Sequence, residues 1–112
     1  MAKQDLVIQL KQKAKELRKE ILKMIYKAQS GHLGGSLSAI DMMVGLYYYK
    51  LRIDPKNPLW QDRDRFVLSK GHCSPAIYAV LADKGYFPKS ELDGYRKIDR
   101  MLQGHTELSI PG

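Results

Sequence analysis

The strongest constraint on the fold is a single apolar stripe near the N-terminus. Between Gln4 and Gln29 the side chains of Leu6, Leu10, Ala14, Leu17, Ile21, Met24, Ile25 and Ala28 recur at spacings of three and four. That period places them on one face of an α-helix of about seven turns, with the opposite face carrying Lys11, Lys13, Lys15, Arg18, Lys19 and Lys23. A helix of that length buries its stripe only against other elements. The chain must therefore wrap a core against it. At 112 residues it is long enough for one domain and short for two. Ser30-Gly31 is expected to end the helix, with the glycine in the left-handed conformation.

A second helix is expected from Ser36 or Ser38, where Ser38-Ala39-Ile40-Asp41 has the form of a capping box. It runs through Met42, Met43, Val44, Leu46 and Tyr47 to about Lys50 and is apolar on nearly all sides, as suits an element inside an assembly. The run Tyr47-Tyr48-Tyr49 is read as core or subunit-interface packing in preference to stacking on a ring. Asp54-Pro55-Lys56-Asn57-Pro58 is a loop. Phe66-Val67-Leu68-Ser69 reads as a short strand buried on both faces. Beyond Lys70-Gly71-His72, Ser74 is expected to cap a helix with Pro75 in its first position and Gly85 as its terminator. Ser90-Glu91-Leu92-Asp93 opens a further short helix.

Composition narrows the function classes. The formal charge of +7 admits an anionic partner, but Glu16 and Glu20 interleave with the basic residues of the first helix as on a solvated face. No nucleic-acid motif and no basic–aromatic alternation is present, and neither nucleic acid nor a membrane is an expected partner. No apolar run reaches the length of a membrane span. The N-terminus carries charge from Lys3 onward with no apolar signal segment, and Cys73 is the one cysteine, so a reducing cytoplasm is the expected compartment.

All three histidines, His32, His72 and His105, directly follow a glycine in an expected turn. Glycine permits positive φ and close approach to the backbone, and an imidazole titrates near neutrality while both donating and accepting hydrogen bonds. Such turns either form a site or serve as connectors whose histidines face water. Zinc ligation fits poorly, because histidine-only sites place at least two ligands close in sequence. A serine hydrolase fits less well, for no G-x-S-x-G is present. Neutral imidazoles that bind phosphate or hydroxyl groups and shuttle protons fit best. Before His72, the order strand, glycine turn, helix start is the geometry in which α/β proteins bind ligands, and free N–H groups at a helix start favour phosphate.

Four blocks, in this order, resemble transketolase, above all the N-terminal half of its split bacterial and archaeal form. They are Gln29-Ser30-Gly31-His32-Leu33-Gly34-Gly35-Ser36-Leu37-Ser38, Asp64-Arg65-Phe66-Val67-Leu68-Ser69-Lys70-Gly71-His72, Gly85-Tyr86-Phe87, and Leu102-Gln103-Gly104-His105 through Pro111-Gly112. Deoxyxylulose-phosphate synthases share the serine-glycine-histidine start but depart from the Phe-Val-Leu-Ser-Lys-Gly-His form. The resemblance implies an α/β fold: the N-terminal part of a doubly wound, thiamine diphosphate-binding domain, mostly helical here with one short parallel strand near 65–69. It implies transfer of a two-carbon ketol unit between sugar phosphates, with thiamine diphosphate and Mg²⁺ as cofactors and a place in the pentose phosphate pathway. His32 matches a catalytic histidine that contacts the donor substrate and assists proton transfer, and His105 matches one that hydrogen-bonds the donor hydroxyl beside the thiazolium. His72, with Gly71, matches the contact to the cofactor diphosphate. Gly31, Gly71 and Gly104 are backbone enablers.

The family holds its Mg²⁺-diphosphate through Gly-Asp-Gly followed some way on by Asn, and no Gly-Asp-Gly occurs in this sequence. Asp93-Gly94 is the nearest approach and falls in a helix. Metal ligands are therefore expected from outside the chain. One strand is also too few for a doubly wound domain. Residues 1–112 are accordingly expected to be a partial domain, incomplete at the C-terminus and inactive alone. A C-terminal transketolase subunit or the remainder of the enzyme would complete it in a homo- or hetero-oligomer. The alternative is a non-catalytic assembly module of the same family, in which the second helix and tyrosine run bind a partner and the histidines are relics.

Overall fold

A computed structural model describes residues 3–29, 33–69, 73–97, 100–104, 106 and 110–112. Helix α1 (Lys3–Ala28) is the long element that the stripe predicts. Ala14, Leu17, Ile21 and Met24 are buried at its centre, while Leu6, Leu10, Ile25 and Ala28 are half-buried toward its ends. The left-handed residue past α1 is Gln29, with φ 53°, and not a glycine. Its N–H still bonds the Tyr26 carbonyl at 3.2 Å, so one tight turn closes the helix. Gly31 lies outside the described residues.

Helix α2 (Leu33–Gly45) starts earlier than the serine pattern suggests. Ser36 and Ser38 both sit inside it. The Ser38 hydroxyl donates back to the Gly35 carbonyl at 2.8 Å, the local bond by which a serine satisfies itself within a helix. Ile40, Met43 and Val44 face the core while the apolar Met42 is 72% exposed, so apolar side chains stand on both faces of α2, as the sequence suggests. Its last turn widens to π geometry over Leu46–Lys50, closed by the Leu51 N–H on the Leu46 carbonyl at 2.7 Å. Tyr47 and Tyr48 both face inward there: Tyr47 packs edge-on against Phe66, 5.8 Å between ring centroids, and Tyr48 hydrogen-bonds Asp83. Tyr49 is exposed. Core packing is thus right for Tyr47.

Helix α3 (Ser74–Lys84) is the centre of the molecule, with every residue from Ser74 to Ala82 buried. It packs against α1, α2 and a 3₁₀ turn over Lys89–Gly94. Gly85, φ +94°, ends it as expected. The Gly85 N–H bonds the Ala82 carbonyl at 3.1 Å and the Tyr86 N–H bonds the Leu81 carbonyl at 3.0 Å, the paired bonds of a Schellman motif.

Two expectations need correction. The segment 65–69 is irregular, with a bend at Ser69, and no strand occurs among the described residues. A strand exists by its ladder, and no neighbouring backbone supplies one here. Nor is the segment buried on both faces: Phe66 and Leu68 pack on the core while Val67 is 83% exposed. Ser74 does not cap α3; Cys73 holds the cap position without a side-chain bond, and Ser74 is the first helical residue.

Candidate functional site

His32, Gly71, His72 and His105 lie outside the described residues. What is described is the chain on their flanks, and it converges on the start of α3. From α2, the Ser36 hydroxyl, fully buried, donates to the Cys73 carbonyl at 3.4 Å. From α3, the Ser74 hydroxyl donates to the Gly104 carbonyl at 2.8 Å, with the Gln103 carbonyl at 3.3 Å. One turn further on, the Tyr78 hydroxyl donates to the Gln103 carbonyl at 2.6 Å. Residues four after His32, one and two after His72, and one and two before His105 are thereby joined.

The segment before Gly104 is a closed loop. The Arg96 N–H, at φ 59°, bonds the Leu102 carbonyl at 2.8 Å. The Gln103 amide nitrogen donates to the carbonyls of Lys97 and Arg100 at 3.0 and 2.8 Å. Ser74 and Tyr78 stand at i and i+4 and so share a face of α3, the face on which this loop rests. Sequence reasoning assigned Ser74 to capping and passed over Tyr78 and Gln103. The available signal was the hydroxyl pair at helical spacing just after one glycine–histidine pair, with an amide just before another.

The opposite end of α3 carries the main charged cluster. Asp83 meets Lys13 of α1 at 3.1 Å and Lys89 of the 3₁₀ turn at 3.2 Å, and accepts the Tyr48 hydroxyl. Burial pushes the Asp83 carboxyl up, but the bonds from Tyr48, Lys13 and Lys89 together hold it below the ordinary carboxylate range. Burial, then the Asp83 bond, raises the Tyr48 phenol. Arg18 pairs with Asp41 of α2 at 2.7 Å. The basic face of α1 is thus in part a structural face, not purely a solvated one.

Cys73 is a free, buried thiol. The described residues include no group of three His, Cys, Asp or Glu side chains able to hold a metal, so they do not fit a Mg²⁺ site by themselves. Among the described residues the first turn of α3 has no acidic residue and no side-chain cap, the polarity an anion favours, although Pro75 has no N–H and Ser74 and Ala76 are fully buried.

The described core is thus three helices, with the flanks of the glycine–histidine pairs gathered at the start of α3. The family model for the transketolase thiamine diphosphate binding domain matches residues 10–111, and the chain belongs to that family. It is 48% identical over 101 residues to the 6-deoxy-6-sulfo-D-fructose transketolase subunit SqwG of Clostridium sp. (strain MSTE9), covering 90% of this chain and 37% of that protein. It is 39% identical over 95 residues to an apulose-4-phosphate transketolase subunit of Phocaeicola vulgatus, covering 85% of this chain and 34% of that protein. Among solved structures, transketolase from Leishmania mexicana superposes with a TM-score of 0.88 at 30% identity, over 92% of this chain and 16% of that one. Transketolase from Campylobacter jejuni gives 0.86 at 38% identity, with the same coverage. The chain therefore spans about a third of the two subunits and about a sixth of the solved enzymes. The expected fold class, the N-terminal part of the thiamine diphosphate-binding fold and mostly helical, agrees with these matches.

Proposed function

We propose that this chain supplies His32, His72 and His105, with Gly71, to the thiamine diphosphate site of a transketolase that moves a two-carbon ketol unit between sugar phosphates. Residues 1–112 form a partial domain, inactive alone. A C-terminal subunit or the remainder of the enzyme completes it, in a homo- or hetero-oligomer acting in the cytoplasm. The observation that carries this reading is the pair of bonds Ser36–Cys73 and Ser74–Gly104, which tie the flanks of all three glycine–histidine pairs to one helix start.

Thiamine diphosphate, when bound, supplies a thiazolium carbon that acts as nucleophile and electron sink. The chain's own residues bind, orient and move protons. His72, which comes two residues before Ser74 in the sequence, donates an imidazole N–H to a diphosphate oxygen. His105 follows the carbonyls held by Ser74 and Tyr78, and it donates an imidazole N–H to a donor hydroxyl. His32, just before α2 in the sequence, accepts or returns a proton on a substrate oxygen through a ring nitrogen. The Mg²⁺ that the resemblance implies takes its ligands from outside the described residues.

The test grafts residues 10–111 in place of the matching segment of a complete transketolase. We expect ketol transfer by the graft, a fall of at least a hundredfold in kcat for His32→Ala and for His105→Ala, and no transfer by the isolated chain. A folded but inactive graft contradicts the reading, and transfer by the isolated chain contradicts its incompleteness.

A further inference from the structure

We infer that Ser74, Tyr78 and Gln103 are positioning residues: a latch that fixes the 100–104 segment on α3 and so sets where the chain enters His105. The inference rests on the proposed role of His105 and goes beyond it to residues with no part in the chemistry.

The hydroxyls of Ser74 and Tyr78 both point at one stretch of backbone. Tyr78 gives its proton to the Gln103 carbonyl at 2.6 Å and Ser74 gives its proton to the Gly104 carbonyl at 2.8 Å. Two successive carbonyls held from one helix face fix the orientation of the peptide plane between them. Ser74 is fully buried, and its bond forms where water does not compete. From the other side, the Gln103 amide spends its nitrogen on Lys97 and Arg100, and the Arg96 N–H on Leu102, so the loop is also closed on itself. The Tyr78 ring is held in turn by Tyr95, edge-on at 6.0 Å between centroids. Serine at 74 and tyrosine at 78 are thus chosen for their hydroxyls, since alanine and phenylalanine would serve a helix interior as well.

The test uses the full 112-residue chain and the variants Ser74→Ala, Tyr78→Phe, their combination and Ser74→Thr. In the double variant we expect the Arg96 amide to exchange with solvent at least tenfold faster, while the Ile21 amide in α1 keeps its rate. The imidazole resonance of His105 should move and that of His32 stay in place, because a latch acts on one loop whereas a general loss of packing would move both. Ser74→Thr keeps the hydroxyl and should restore the parent spectrum. Unchanged Arg96 exchange and an unmoved His105 signal in the double variant overturn the inference. If the double variant loses the α1 amide dispersion altogether, Tyr78→Phe alone decides by the same two signals. Cofactor binding by the graft is read separately: a graft that fails to bind thiamine diphosphate while the His105 signal responds refutes the functional reading and leaves the latch standing.

Discussion

Replacing Asp83 with alanine tests how the three helices are held together. The carboxylate is 14% exposed and meets Lys13, Lys89 and the Tyr48 hydroxyl, which belong to α1, the 3₁₀ turn and the π turn. Loss of the charge-assisted Tyr48 bond should cost about 2 kcal/mol. The Lys13 pair, half-shielded, is worth about 1 kcal/mol, and the Lys89 pair, with a lysine 64% exposed, a few tenths (roughly 0.3 kcal/mol). Against this, Asp83 lies in the last turn of α3, where a negative charge opposes the helix dipole and alanine is the better helix former. Those two gains return about 1 kcal/mol. The net loss is about 2 kcal/mol, or a fall in Tm of roughly 8 °C for a domain of this size. The assay is thermal unfolding followed by circular dichroism at pH 7 and again in acid. Because the folded carboxyl titrates below its unfolded value, its contribution is complete above the unfolded pKa and disappears as pH falls through the folded one. The gap between parent and variant should therefore be full at pH 7 and shrink below about pH 4. A variant that melts within 2 °C (roughly 0.5 kcal/mol) of the parent at pH 7 refutes the reasoning, as does a gap that persists in acid.

Three further outcomes follow from the packing. Ile21, fully buried at the centre of the α1 stripe, should lose about 3 kcal/mol on substitution by alanine, read as a lower urea midpoint with an unchanged slope. Gly85→Ala forces a side chain onto φ +94° and should lose about 1 kcal/mol in the same assay. Tyr95 is buried and its hydroxyl has no hydrogen-bond partner among the described residues, so Tyr95→Phe should raise stability by about 1 kcal/mol; a destabilised variant refutes this.

The parts of the fold legible in the sequence are those set by local period and local backbone chemistry. The stripe from Leu6 to Ala28 gave α1 with its burial, and Pro75 with Gly85 bracketed α3. Capping patterns misled where another bond competed: Ser38 turned back locally onto Gly35 within the helix, and Ser74 reached a carbonyl thirty residues away, a pairing that no local pattern encodes. The Asp83 cluster is unreadable for the same reason, since Lys13 is seventy residues distant. At 65–69 an apolar run was read as a strand buried on both faces, but its residues alternate between core and solvent without a ladder, and Val67 stands exposed. Of the candidate site, the glycine–histidine pairs were visible as a motif, whereas the hydroxyls that gather their flanks emerged only from the packing of α2, the 100–104 segment and α3.

We propose that His72 holds the cofactor diphosphate. The most direct test is a calorimetric titration of thiamine diphosphate with Mg²⁺ into the grafted transketolase and into the same graft carrying His72→Ala. Saturable binding is expected for the first and at least tenfold weaker binding for the second, with both proteins melting alike. Equal affinity in the two would contradict it.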